Sequence, residues 1–144
     1  MRPRVFKRIL VAYDGSEGAR SALLRGIELA KALGAELYTV SVEEHLPHYA
    51  ASISEVKAAK EQIDEYFHTL TKQARDQAAL AGVELETVIR QGHEVETIVT
   101  MAKEGRFDLL VIGYHGHSRI FERAMGSTAQ SIVRLAPCPV LVAK

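Results

Sequence analysis

The chain has 144 residues, 47% hydrophobic and 25% charged, with Lys+Arg and Asp+Glu balanced at 18 each. Those values fit one globular domain, residues 1–144, with a sizeable core, and neither the net charge nor any Lys/Arg cluster calls for a nucleic-acid or acidic-membrane partner. The lone Cys138 excludes an intramolecular disulfide framework, no apolar run approaches the roughly 20 residues of a membrane helix, and Lys7 and Arg8 break the N-terminal apolar stretch, so a cytoplasmic protein is expected.

Ile9-Leu10-Val11-Ala12 is a near-continuous apolar run and predicts a first strand at about 8–13, buried on both faces. Asp14-Gly15-Ser16 then suits a turn and helix cap. A helix at about 17–33 carries Leu23, Ile27, Ala30 and Leu33 on one stripe and stops at Gly34. The second strand, about 35–42, alternates, which predicts one wetter face. The aperiodic stretch from Glu43 to Ala51 follows, at the carboxyl end of the sheet. It either covers a ligand there or is an ordinary connection.

A long helix at about 54–81 places Val56, Ile63, Tyr66, Phe67, Leu70, Ala74 and Ala78 at three-and-four spacing before Gly82. The third strand, about 83–90, alternates and reads as an edge. A helix at about 93–104 buries Val95, Ile98 and Met101 or Ala102 and ends before Gly105. The fourth strand, about 107–113, is again continuously apolar. A last helix starts near Ser127 and stops by Pro137, and the fifth strand covers about 138–143. Cys138, between Pro137 and Pro139, reads as a small buried residue at the entry to that strand rather than a reactive thiol. Strict alternation of strand and helix predicts an α/β fold, an open parallel five-stranded sheet with helices on both faces.

The chemistry concentrates after the fourth strand, where Gly113-Tyr-His-Gly116 is followed by nine residues and Gly126-Ser127-Thr128. Glycines let a backbone approach an anion closely or take positive φ, successive N–H groups form an anion nest, and a helix N-terminus adds unpaired donors. Ser127 and Thr128 supply hydroxyls where the helix begins. A phosphorylated ligand is the expectation. His115 and His117 have no accompanying Cys or carboxylate at ligand spacing, so no protein-built metal site is predicted. Arg119 and Arg123 either reach a phosphate tail or are solvated loop cations. The P-loop pattern and the dinucleotide G-x-G-x-x-G are both missing.

The spacing G-x2-G-x9-G-[ST], the opening Ile9-Leu10-Val11-Ala12-Tyr13-Asp14-Gly15-Ser16-Glu17 and the ending Ala136-Pro137-Cys138-Pro139-Val140-Leu141-Val142 together resemble the universal stress protein A family. That resemblance implies a Rossmann-like sheet of order 3-2-1-4-5, related to adenine nucleotide alpha hydrolases. It implies ATP as ligand, with Mg2+ or Mn2+ held through the phosphates. Asp14 is then expected near the ribose or adenine, with Ala12 and Val40 enclosing the base. Gly113, Gly116 and Gly126 are expected to provide clearance, Ser127 and Thr128 to bond phosphate oxygens, and His115, His117 and Ser118 to touch ribose or phosphate. Tyr114 departs from the small hydroxyl residue often found at its place. A homodimer through strand 139–143 is also implied. The expected role is an ATP-binding stress-response or signalling module. A slow ATPase or other adenine-nucleotide enzyme, and a nucleotide-independent dimerisation module, are the alternatives.

Overall fold

Ile9, Leu10 and Val11 are completely shielded from solvent, as are Leu110 and Val111, because these two runs lie side by side in the middle of one sheet. In the computed structural model, which describes residues 5–44, 52–114 and 125–144, the strands are β1 (Arg8–Ala12), β2 (Glu36–Glu43), β3 (Leu85–Gln91), β4 (Leu109–Gly113) and β5 (Val140–Ala143). All pair in parallel in the order β3-β2-β1-β4-β5. The helices are α1 (Glu17–Leu33), α2 (Ile53–Leu80), α3 (Glu94–Glu104) and α4 (Ser127–Leu135). Sheet order and register set Ile9 beside Leu37 on one side and Leu109 on the other.

Two hydrophobic layers sandwich the sheet. One joins Ile9 and Val11 to Leu23 and Ile27 of α1 and to Leu70, Ala74 and Ala78 of α2. The other joins Leu10, Val40 and Ile112 to Ile98 and Ala102 of α3 and to Ala129 and Ile132 of α4. Period-2 strands between amphipathic helices require this division. Each helix is stopped locally. Ser16 caps α1 by accepting from the Ala19 N–H, and Gly34 closes it in the left-handed region at φ 65°. Ser52 and Glu55 form a reciprocal capping box on α2.

One sequence expectation holds and one needs correction. Strand β2 has a wetter face, with Glu36 exposed and Tyr38 and Val42 partly so, whereas Leu37, Thr39 and Ser41 on the other face are buried. Thr39 and Ser41 are polar, but α1 and α2 cover them. The apolar stripe of α2 is buried only from Leu70 onward; Tyr66 is exposed, and Val56, Ile63 and Phe67 are only partly covered. The cause is length. Twenty-eight residues of helix span about 42 Å, whereas an eight-residue strand spans about 27 Å, so the first turns of α2 have no sheet beneath them. Strand β3 is an edge as expected, with four exposed residues in its seven.

Candidate functional site

Strands β1 and β4 are neighbours whose connections leave in opposite directions, β1 toward β2 and β4 toward β5. A crevice opens beyond the carboxyl ends of strands at such a switch point. Here it has a volume of about 250 Å³. Ala12 and Asp14 from the end of β1, Val40 and Val42 from β2, Ile112 and Gly113 from β4, and Gly126, Ser127 and Thr128 from the start of α4 all line it. Seven of the expected site residues are thus gathered from four separate segments. His115, Gly116, His117 and Ser118 lie outside the described residues, as do Arg119 and Arg123.

The Asp14 turn is built by short local bonds. Asp14 Oδ1 accepts from the Ser16 N–H at 2.9 Å, and Ser16 Oγ accepts from the Ala19 N–H at 3.2 Å. Ser16 is therefore the helix cap, while Asp14 tightens the turn and reaches the crevice wall. The Tyr13 N–H donates to the Val40 carbonyl at 2.9 Å, tying this turn to β2. The Tyr13 side chain is buried. Burial raises its phenol pKa above the ordinary value, against a smaller lowering by Arg20.

On the other side, the Gly126 N–H donates to the Tyr114 carbonyl and the Tyr114 N–H to the Ala143 carbonyl, each at 2.9 Å. The start of α4 is thereby fastened to the end of β4. The Tyr114 ring is 5.2 Å from Lys144 Nζ and is absent from the crevice lining among the described residues, so this departure from the family pattern does not narrow the crevice there.

Neither Gly113 nor Gly126 is a positive-φ glycine. Gly126 sits at φ −59°, ψ 151°, a conformation open to any residue. At Gly113 the constraint is a close approach: an added Cβ would stand 2.6 Å from the Gly18 carbonyl carbon and 2.8 Å from its oxygen. Its clearance serves the first turn of α1.

Three helix N-termini border this region, and they are not equivalent. Ser16 occupies that of α1. Glu44 Oε1 accepts from the Glu94 N–H, at 3.4 Å, at that of α3. The N-cap of α4 is Gly126, and no side chain of the described residues caps it. The positive end of that helix dipole, with Ser127 exposed and Thr128 partly so, is the place in the crevice suited to an anion. Toward α3 the wall is apolar and acidic, with Val42, Ile98 and Glu94. Sequence reading missed Val42, Ile98, Ile112, Ile132 and Glu94. Period 2 from Val40 pointed to Val42; the others converge only through tertiary packing. Among the described residues no group of three His, Cys, Asp or Glu is placed to hold a metal.

An open, doubly wound α/β sheet with a crevice at its switch point defines a Rossmann-like protein. The chain belongs to the universal stress protein family, whose pattern it matches over residues 6–144. It is 32% identical over 148 residues to universal stress protein YxiE of Bacillus subtilis, covering 97% of this chain and all of that one. Its fold is similar to universal stress protein UspA from Lactobacillus plantarum, with TM-score 0.82, 25% identity and coverage of 99% of this chain and 100% of that one. It is also similar to a universal stress protein solved in complex with cAMP, with TM-score 0.72, 26% identity and coverage of 96% and 97%. Among the described residues no helix is long and apolar enough to cross a membrane.

Proposed function

We propose that the crevice binds an adenine nucleotide, with ATP as the principal form and Mg2+ or Mn2+ carried by its phosphates, and that the protein is a nucleotide-dependent stress-response module of the cytoplasm, folded as one domain. One observation carries the reading. The Asp14 turn and the Gly126-Ser127-Thr128 helix start face one crevice, and the start of α4 has no side-chain cap among the described residues. Phosphate would sit at that helix start, bonded by Ser127 and Thr128. The base would lie against Ala12, Val40 and Val42, with Asp14 accepting from ribose hydroxyls. The family resemblance would add His115, Gly116, His117 and Ser118 as contacts to ribose or phosphate; these lie outside the described residues. The related protein solved with cAMP supports the ligand class.

The ionisable side chains among the described lining residues are Tyr13, Asp14 and Glu94, so none of these described residues is a cation able to stabilise charge developing on a transferred phosphoryl group. The reading is therefore a binder, with hydrolysis slower than about one per minute against an enzyme median of about 10 per second. Calorimetry with ATP and AMP, together with mass spectrometry of ligand released from purified protein, tests it. Binding weaker than about 1 mM for both, with no nucleotide released, would overturn it.

A homodimer through 139–143 is part of the same proposal. Strand β5 is an edge that bonds only β4 among the described residues, and its Leu141 is large, apolar and exposed. An unpaired apolar edge invites pairing. Leu141→Lys is the cleaner probe, because Val140 and Val142 also pack on the core. Sedimentation should show a dimer for the unmodified chain and a shift to monomer for the variant.

A further inference from the structure

Residues Tyr13 to Ser16 form the crevice wall between β1 and α1, and two hydroxyls from other elements hold successive carbonyls of this turn. Ser41 Oγ donates to the Tyr13 carbonyl at 2.6 Å, from within the sheet. The Tyr66 hydroxyl donates to the Asp14 carbonyl at 3.1 Å, from α2. The peptide unit between Asp14 and Gly15 is where this second bond acts. Gly15 has φ 78°, and the freedom of glycine on either side of φ = 0 leaves such a peptide plane able to turn over. The carbonyl and N–H of a trans peptide point in opposite directions. Anchoring the Asp14 carbonyl on Tyr66 therefore fixes the Gly15 N–H away from α2 as well.

Core packing does not account for Tyr66. It is 50% exposed, no residue of α2 before Leu70 is buried, and its ring makes an edge contact with its neighbour Phe67. Leu70, one turn later, supplies the apolar part of the same attachment: its Cδ1 is 2.6 Å from the position a Cβ on residue 15 would take.

We propose that Tyr66 is a positioning residue for the crevice. It pins the Asp14–Gly15 peptide in the orientation that presents Asp14 to a ligand and so couples occupancy of the crevice to the exposed N-terminal half of α2. The inference rests on the nucleotide reading above and adds to it a residue outside the crevice and a route by which binding reaches a surface helix.

The test compares Tyr66→Phe with the unmodified chain, using AMP and 2′-deoxy-AMP in calorimetry. Loss of one hydrogen bond to the turn should weaken AMP binding about three- to tenfold. The loss for 2′-deoxy-AMP should be smaller, because Asp14 has one hydroxyl fewer to accept from, so the preference for the ribonucleotide narrows. The ligand-free melting temperature should stay within about 2 °C, as expected for a surface substitution. In hydrogen exchange, AMP should slow the amides of residues 62–70 in the unmodified chain and leave them unchanged in Tyr66→Phe. An AMP affinity equal to that of the unmodified chain, or an equal loss for both nucleotides, would overturn the inference. An unmodified chain that binds neither nucleotide would remove the reading beneath it, and that failure shows before any substitution is made.

Discussion

Gly113 at the end of β4 and Gly18 in the first turn of α1 are packed backbone against backbone, leaving only 2.6 Å between a would-be Cβ on the first and the carbonyl carbon of the second. Two glycines face each other at the point where the sheet hands its crevice to a helix.

Gly113→Ala should therefore act on stability. The added methyl meets main chain, which yields less readily than a side chain, and overpacking of this kind costs typically 1–3 kcal/mol. We expect a melting temperature lower by about 4–8 °C. Thermal denaturation in the absence of nucleotide checks this, and an unchanged midpoint would show that α1 moves aside freely.

Gly126→Val should act on binding. The residue already has extended φ and ψ, so valine fits the backbone, but its branched side chain would stand at the anion-receptive start of α4. ATP affinity should fall by about tenfold or more, equivalent to at least about 1.4 kcal/mol, in a protein that still melts cooperatively. Calorimetry showing full affinity would move the phosphate away from this helix start.

Thr39→Val should stabilise the fold. Thr39 Oγ1 is buried and has no hydrogen-bond partner among the described residues. A buried unpaired hydroxyl costs about 1–3 kcal/mol, and an apolar isostere avoids that cost. We expect a gain of about 1 kcal/mol, measured as a higher denaturant midpoint with an unchanged slope. A loss would mean that the hydroxyl has a partner, such as an ordered water.

Alkaline pH should weaken the fold through two groups. Burial raises the Cys138 thiol, with nearby Asp108 adding to the effect, and burial raises the Tyr13 phenol. Both folded values lie above the unfolded ones, so their contribution is complete below the ordinary thiol and phenol ranges of about 8.5 and 10. It is lost as pH rises through the folded values. Melting temperatures from pH 7 to 11 should fall above about pH 9, less steeply in Cys138→Ala and Tyr13→Phe. Equal slopes in all three proteins would dissociate these groups from the loss. The same shift should make Cys138 react with iodoacetamide more slowly than free cysteine at pH 8.

The strands β1 and β4 were legible because burial on both faces leaves an uninterrupted apolar run, and the helix ends because Ser16, Gly34 and Gly82 stand where caps and stops belong. Sheet order was not legible from the residues. Ile9 pairs with Leu109 across a separation that no local pattern encodes, and only the family resemblance anticipated it. In β2 the residues did not say which face is the wetter one, because Thr39 and Ser41 are polar yet buried, the latter donating its hydroxyl to the Tyr13 carbonyl. For the crevice, Asp14, Gly126, Ser127 and Thr128 announced themselves by turn and capping chemistry. Glu94 and Ile98 belong to a helix whose only local signal is its own stripe.

The bond from the Gly126 N–H to the Tyr114 carbonyl works like the clasp of a ring. It holds the N-cap of α4 beside the residue that follows β4 through main-chain atoms alone, so a change of side chain at 114 or 126 leaves the join intact unless it brings proline to 126. The mutual placement of β4 and α4 is thus a property of the backbone and not of side-chain identity at either end.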